Sequence, residues 1–110
     1  MAQEIAKLAV GKKAEDTVIL DMRKVCSYTD YFVITSGGSS RQTKAIGDEI
    51  RIEMKKEGEL VLRVEGEPGG DWILLDYMQV VVHIFTPEAR NFYRLENLWR
   101  EAPGVDVEAE

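Results

Sequence analysis

The chain has one cysteine, one histidine and three prolines in 110 residues, and the first two scarcities each close off a chemistry. With Cys26 alone there is no disulfide framework and no thiolate metal cluster, a usage that suits a reducing cytosol. Cys26 reads as a small apolar filler. With His83 the sole imidazole, neither a histidine-based zinc site nor a Cys–His nucleophile pair assembles unless the fold brings Cys26 alongside. Basic charge is short as well: 14 Lys and Arg stand against 20 Asp and Glu, a formal net charge of −6. That is the wrong sign for gripping phosphate backbones by counterion release, so no direct DNA binding is expected and a basic protein surface is the better partner. No run approaches the roughly 18 uncharged apolar residues of a membrane span. The start, Met1-Ala2-Gln3-Glu4-Ile5, has neither a secretory nor an organelle-import pattern. No membrane association and a cytoplasmic location are expected.

Paired carboxylates are missing too. A nucleotide-transferring site needs two or three of them to hold magnesium ions about 4 Å apart, and a strand supplies them at alternate positions. Asp76 is followed two residues on by Met78, and Asp21 by Arg23. Asp48 and Glu49 are helix neighbours, which point about 100° apart. No metal site and no cofactor site takes shape. The turn Gly37-Gly38-Ser39-Ser40, between a strand and a helix, lacks the lysine of a P-loop and the third glycine of a dinucleotide fingerprint. Ser39 with Gln42 three residues on fits a capping box, although such a turn also has the shape to cradle a phosphate.

What the chain does hold is 45% hydrophobic residues, enough for one domain with a real core and too short a chain for two. The densest apolar stretch, from Asp71 to Phe85, reads as two strands folding back at Met78-Gln79. A two-residue turn sets Tyr77 opposite Val80, Leu75 opposite Val82 and Ile73 opposite Ile84 on one face. That face is apolar apart from one phenol. The other face collects Trp72 with Phe85, Leu74 with His83 and Asp76 with Val81, and reads either as a second, partly covered core face or as a docking surface. His83 is there either a satisfied structural residue or a hydrogen-bonding member of an interface.

The remaining elements follow from periodicity. Ile5, Leu8 and Ala9 mark a first amphipathic helix over residues 2–12, ending near Gly11. Strands are expected over Thr17–Met22, Tyr31–Ser36 and Leu60–Val64, with a loop over Arg23–Asp30. A helix from Ser40 to about Lys56 carries Ile46, Ile50 and Met54 as its stripe and stops at Gly58. Because that helix joins Tyr31–Ser36 to Leu60–Val64, the two strands are expected to run parallel. Thr86-Pro87-Glu88 starts a last helix with Phe92, Leu95, Leu98 and Trp99 as its stripe, ended by Pro103-Gly104. The domain is expected over residues 1–104, and residues 105–110 as an acidic disordered tail.

Three segments together resemble a known family: Thr29-Asp30-Tyr31-Phe32-Val33-Ile34 with Ser36-Gly37 and Arg41-Gln42; Trp72 to Tyr77 running into Val80 to Phe85; and Pro87-Glu88-Ala89-Arg90 with Tyr93, Leu95-Glu96 and Leu98-Trp99. The chain is similar to the ribosomal silencing factors, also called Iojap-related, over roughly Glu15 to Glu101. The resemblance implies a nucleotidyltransferase-like α/β fold, a mixed sheet flanked by helices, without the enzyme's active site. It implies binding to the fourteenth protein of the large ribosomal subunit, on the face where the small subunit docks, and hence repression of translation when nutrients are scarce. Homodimers are frequent among members. One departure is that the family usually has Gly-Asp in the hairpin turn, where this chain has Met78-Gln79, residues that adopt positive φ with difficulty. On this reading the partner-binding residues are Trp72, Leu74, Asp76 and His83, with Tyr77 at the rim. Two readings compete: a nucleotidyltransferase with an unrecognised metal site, and a generic dimeric adaptor.

Overall fold

The hairpin forms in the expected register. In the computed structural model, which describes residues 1–108, strands β4 (Trp72–Asp76) and β5 (Val80–Phe85) pair antiparallel. Trp72 lies opposite Phe85, Ile73 opposite Ile84, Leu74 opposite His83, Leu75 opposite Val82 and Asp76 opposite Val81. The turn is closed by a Tyr77 N–H to Val80 C=O bond of 2.9 Å. Only Met78 takes the positive φ, at 73°. Its N–H donates to Asp76 Oδ1 at 2.8 Å, which offsets part of the strain a side chain suffers there.

Around this hairpin the remaining strands complete a six-stranded mixed sheet in the order β3-β4-β5-β2-β1-β6, with β1 Glu15–Asp21, β2 Tyr31–Ser36, β3 Arg63–Glu65 and β6 Gly104–Val105. Only β2 and β5 pair in parallel. Val33, Ile34 and the whole of β5 are buried, as expected of strands covered on both faces. Helices α1 (Ala2–Gly11) and α2 (Ser40–Lys56) lie over one face. There Ile5, Ala6 and Ala9 join Ile46, Ile50 and Met54 against Ile19, Val33, Ile73, Leu75, Val82 and Ile84. Gly47 faces Ile84 and Ile73, where a Cβ would make ordinary contact with Ile84 Cδ1 at 3.6 Å. The Ser39 hydroxyl caps α2 by accepting from Gln42 N–H at 3.2 Å. The reciprocal half of the capping box is not made, because the Gln42 amide donates instead to the Lys12 carbonyl at the end of α1.

Four expectations need correction. First, β3 is shorter than the expected Leu60–Val64 strand, although its expected direction, parallel to β2, holds. It pairs antiparallel with β4 at the sheet edge, Val64 opposite Leu75, so it runs in the direction of β2 but with β4 and β5 between. It begins only at Arg63, leaving Leu60 and Leu62 exposed at 63% and 62%. Second, the last helix breaks in two. Arg94 adopts the left-handed region at φ 49°, ψ 49°, between α3 (Pro87–Tyr93) and α4 (Leu95–Leu98). The break turns Leu95 into the core and leaves Phe92 and Leu98 exposed. Third, the expected tail is structured through Glu108. Val105 pairs with Ile19, Val105 and Val107 pack against the core, and the Gln3 side chain bridges Asp106 C=O at 2.8 Å and Glu108 N–H at 2.9 Å. Valines alternating with acids give this segment one apolar side, which is enough to cap the edge of β1. Residues 109–110, the rest of the expected tail, lie outside the described residues. Fourth, Tyr77 does not belong with the mixed face, as described next.

Candidate docking face

The sheet is covered unequally. Opposite α1 and α2, a second cluster covers the strands β5, β2 and β1: Ala89 and Leu95 from α3 and α4, Trp99 and Ala102 beyond them, and Met22, Val25 and Cys26 from the preceding loop. These sit on Phe32, Ile34, Val81 and Phe85. The cover is pinned by Arg90, whose guanidinium forks onto both oxygens of Glu96 at 3.0 and 2.8 Å and reaches Ser36 Oγ at 2.9 Å. It stops short of the β4–β3 margin. There Trp72, Leu74 and Asp76, alternate residues of β4, are only half-buried, and Arg63 and Glu65 of β3 stand exposed beside Asp76 and Leu74.

The strip left open is aromatic at one end and charged at the other. The Trp72 ring packs on Phe85 with centroids 5.0 Å apart and on Tyr93 at 4.7 Å. Phe92, 79% exposed, meets Tyr93 edge-on at 5.0 Å and extends the row over α3. At the other end Arg63 pairs with Glu65 at 2.9 Å and with Asp76 at 3.7 Å. Solvent-exposed pairs of this kind hold little energy, so a partner's charge can replace them.

Of the residues the sequence pointed to, Trp72, Leu74 and Asp76 come together on this strip. Tyr77 and His83 do not reach its surface. Tyr77 projects to the opposite face, 6% exposed within the α1/α2 core, where burial pushes its phenol pKa up. Period-two alternation requires this, since Tyr77 shares the face of Ile73 and Leu75. His83 lies on the correct face but beneath it, 4% exposed. Its ring sits 4.6 Å from Phe32 and stacks at 6.3 Å with Phe85. Burial lowers its pKa from 6.5 to about 4, so it is neutral near pH 7. Trp72 Nε1–H donates to His83 Nδ1 at 3.1 Å, which puts the single imidazole proton on Nε2. That nitrogen is buried with no partner among the described residues.

Sequence reasoning missed Tyr93 and Phe92 as members of the strip. The signal was their adjacency: neighbours on a helix point about 100° apart, so two consecutive aromatics cannot both lie in one inward stripe.

Of the acids weighed in the sequence, Asp21 and Asp76 are engaged with Arg23 and Arg63. Asp21 holds Arg23 through both oxygens, at 3.0 and 2.7 Å, and Arg23 draws its pKa down to about 2. Among the described residues no three His, Cys, Asp or Glu side chains converge as metal ligands, and no helix is long and apolar enough to cross a membrane. The open cleft of about 640 Å³ beside Gly38-Ser39-Ser40 is lined by Asp71 and Glu88, charges that oppose a phosphate there.

The fold is thus a mixed α/β sheet with one half-open aromatic margin. Residues 1–110 match the family described as "Ribosomal silencing factor during starvation", and the chain belongs to that family. It is 40% identical over 110 residues to "Ribosomal silencing factor RsfS" of Bacillus subtilis, covering 96% of this chain and 93% of that one. It is 34% identical to "Protein Iojap, chloroplastic" of Arabidopsis thaliana, covering 96% of this chain and 44% of that longer one. A crystal structure of a Bacillus halodurans protein superimposes with a TM-score of 0.82 at 36% identity, covering 94% of each chain.

Proposed function

We propose that the chain acts without catalysis, by binding the large ribosomal subunit and blocking attachment of the small one. It would do so in the cytoplasm, through the large-subunit protein at the joining face. The observation that carries this reading is the half-open Trp72–Tyr93–Phe92 row at the margin of a sheet face whose strands β5, β2 and β1 are covered. Aromatic residues with a polar rim are the usual energetic centre of a protein interface. Asp76 and Glu65 at the charged end suit a basic partner surface, and the net charge of −6 favours encounter with one. The family name carried by its relatives supports the ribosome as that partner. A homodimer is compatible with this reading, provided that its contact leaves the strip open.

The test is co-sedimentation with isolated large subunits, followed by addition of small subunits. The protein should travel with the large subunit and lower the yield of joined ribosomes. Unchanged profiles at large protein excess would refute it.

A further inference from the structure

The docking strip rests on a buried histidine that no partner can touch. The Trp72 indole is flanked on adjoining sides by Phe85 and Tyr93, at 5.0 and 4.7 Å, two rings that lie 6.4 Å from each other. Ring contacts of this kind restrict an indole but do not choose which of its edges points inward. The one directional contact is the bond from Trp72 Nε1–H to His83 Nδ1. It uses the only polar group an indole has. We infer that His83 is a positioning residue that acts through Trp72, fixing the indole with its N–H turned inward so that the docking face offers the partner a purely apolar ring. This rests on the docking role proposed above and specifies the chemistry of its partner. The surface that receives Trp72 is an apolar socket without a hydrogen-bond acceptor.

The arrangement carries a cost. His83 Nε2–H is buried among Phe32, Phe85 and Trp72 with nothing to donate to among the described residues, and an unpartnered buried donor destabilises a fold. A phenylalanine at position 83 would keep the aromatic contacts without that cost. It would leave the indole N–H unsatisfied instead, free to turn outward into an apolar socket.

Three variants test this. His83→Phe removes the acceptor, His83→Gln restores one through its amide oxygen, and Trp72→Phe removes the indole N–H. Exchange of the Trp72 Nε1–H with solvent is read by NMR, where the two tryptophans give two indole signals and Trp72→Phe identifies which is which. Affinity is read with isolated large ribosomal subunits. His83→Phe should keep or raise the melting temperature, speed Trp72 N–H exchange, and weaken binding by about tenfold, the effect of one unsatisfied buried donor. His83→Gln should restore slow exchange and tight binding. In the Trp72→Phe background, His83→Phe should have no further effect on affinity. Unchanged exchange in His83→Phe, or binding lost only in step with melting temperature, would overturn the inference. Should wild-type protein fail to bind large subunits, the docking reading falls, while the exchange measurement still decides whether His83 fixes the indole.

Discussion

Trp72 and Ile73 are neighbours in sequence with opposite surroundings, and a pair of truncations separates them. Ile73, 1% exposed in the α1/α2 core, should cost about 2 to 5 kcal/mol of stability on replacement by alanine. Trp72 is half-buried, with one ring face on Phe85, so Trp72→Ala should cost about 2 kcal/mol in folding. The same change should remove more than about 2 kcal/mol of binding to the large subunit. Thermal melts and sedimentation on one preparation check both, and a Trp72→Ala protein melting as early as Ile73→Ala would place Trp72 in the core. His83 makes a separate claim about pH. Its folded pKa, about 4, lies below its ordinary 6.5, so between those values the unfolded chain binds the extra proton. The stability that neutral His83 contributes is therefore complete above about pH 6.5 and is lost as pH falls toward 4, by about 3 kcal/mol at most. Denaturant midpoints at pH 7.5 and 4.5 should fall less far apart in His83→Phe than in wild type.

At the scale of elements, β3 is the least secured strand on the docking side. It is three residues long and is placed by the turn at Gly66, where φ is 77° and a Cβ would stand 1.9 Å from the Trp72 carbonyl oxygen. Gly66→Ala should detach β3 from β4, lower the melting temperature and weaken subunit binding by disturbing Trp72. Hydrogen exchange should show faster amides in residues 63–65 and 72–76 before any change in α2. The hairpin was legible in the sequence down to each cross-strand pair, because alternation over eleven residues admits one register that keeps Ile73, Leu75, Val82 and Ile84 together. α2 was legible as well, from its Ile46-Ile50-Met54 spacing and its Ser39 cap. The elements misjudged were those whose limits depend on partners far along the chain. β3 starts where β4 gives it hydrogen bonds, not where Leu60 begins an apolar run. The α3–α4 break follows from Arg94 taking a left-handed conformation that neither glycine nor proline announces. β6 exists because β1 has an edge to cover. Within the candidate site, Trp72, Leu74 and Asp76 could be read from one strand, whereas the depth of His83 is set by Phe32 and the Tyr93 rim by α3, neither of which strand alternation can supply.

For the molecule as a whole, charge and covering act together. The net charge of −6 would attract the basic partner proposed above over distances that salt shortens, about 10 Å at 0.1 M ionic strength. Association with large subunits should therefore slow as salt rises, while the dissociation rate, governed by the aromatic contacts, should change less. Rates measured over a salt series would show this, and an on-rate indifferent to salt would remove electrostatic steering from the account. The clamp that Gln3 makes on Asp106 and Glu108 has a different use. It brings residue 3 and residue 108 side by side on the β1–β6 edge, four strand spacings or roughly 20 Å from β4. A reporter attached near residue 3 would therefore stand far from the strip, and co-sedimentation with large subunits should be the same with and without it.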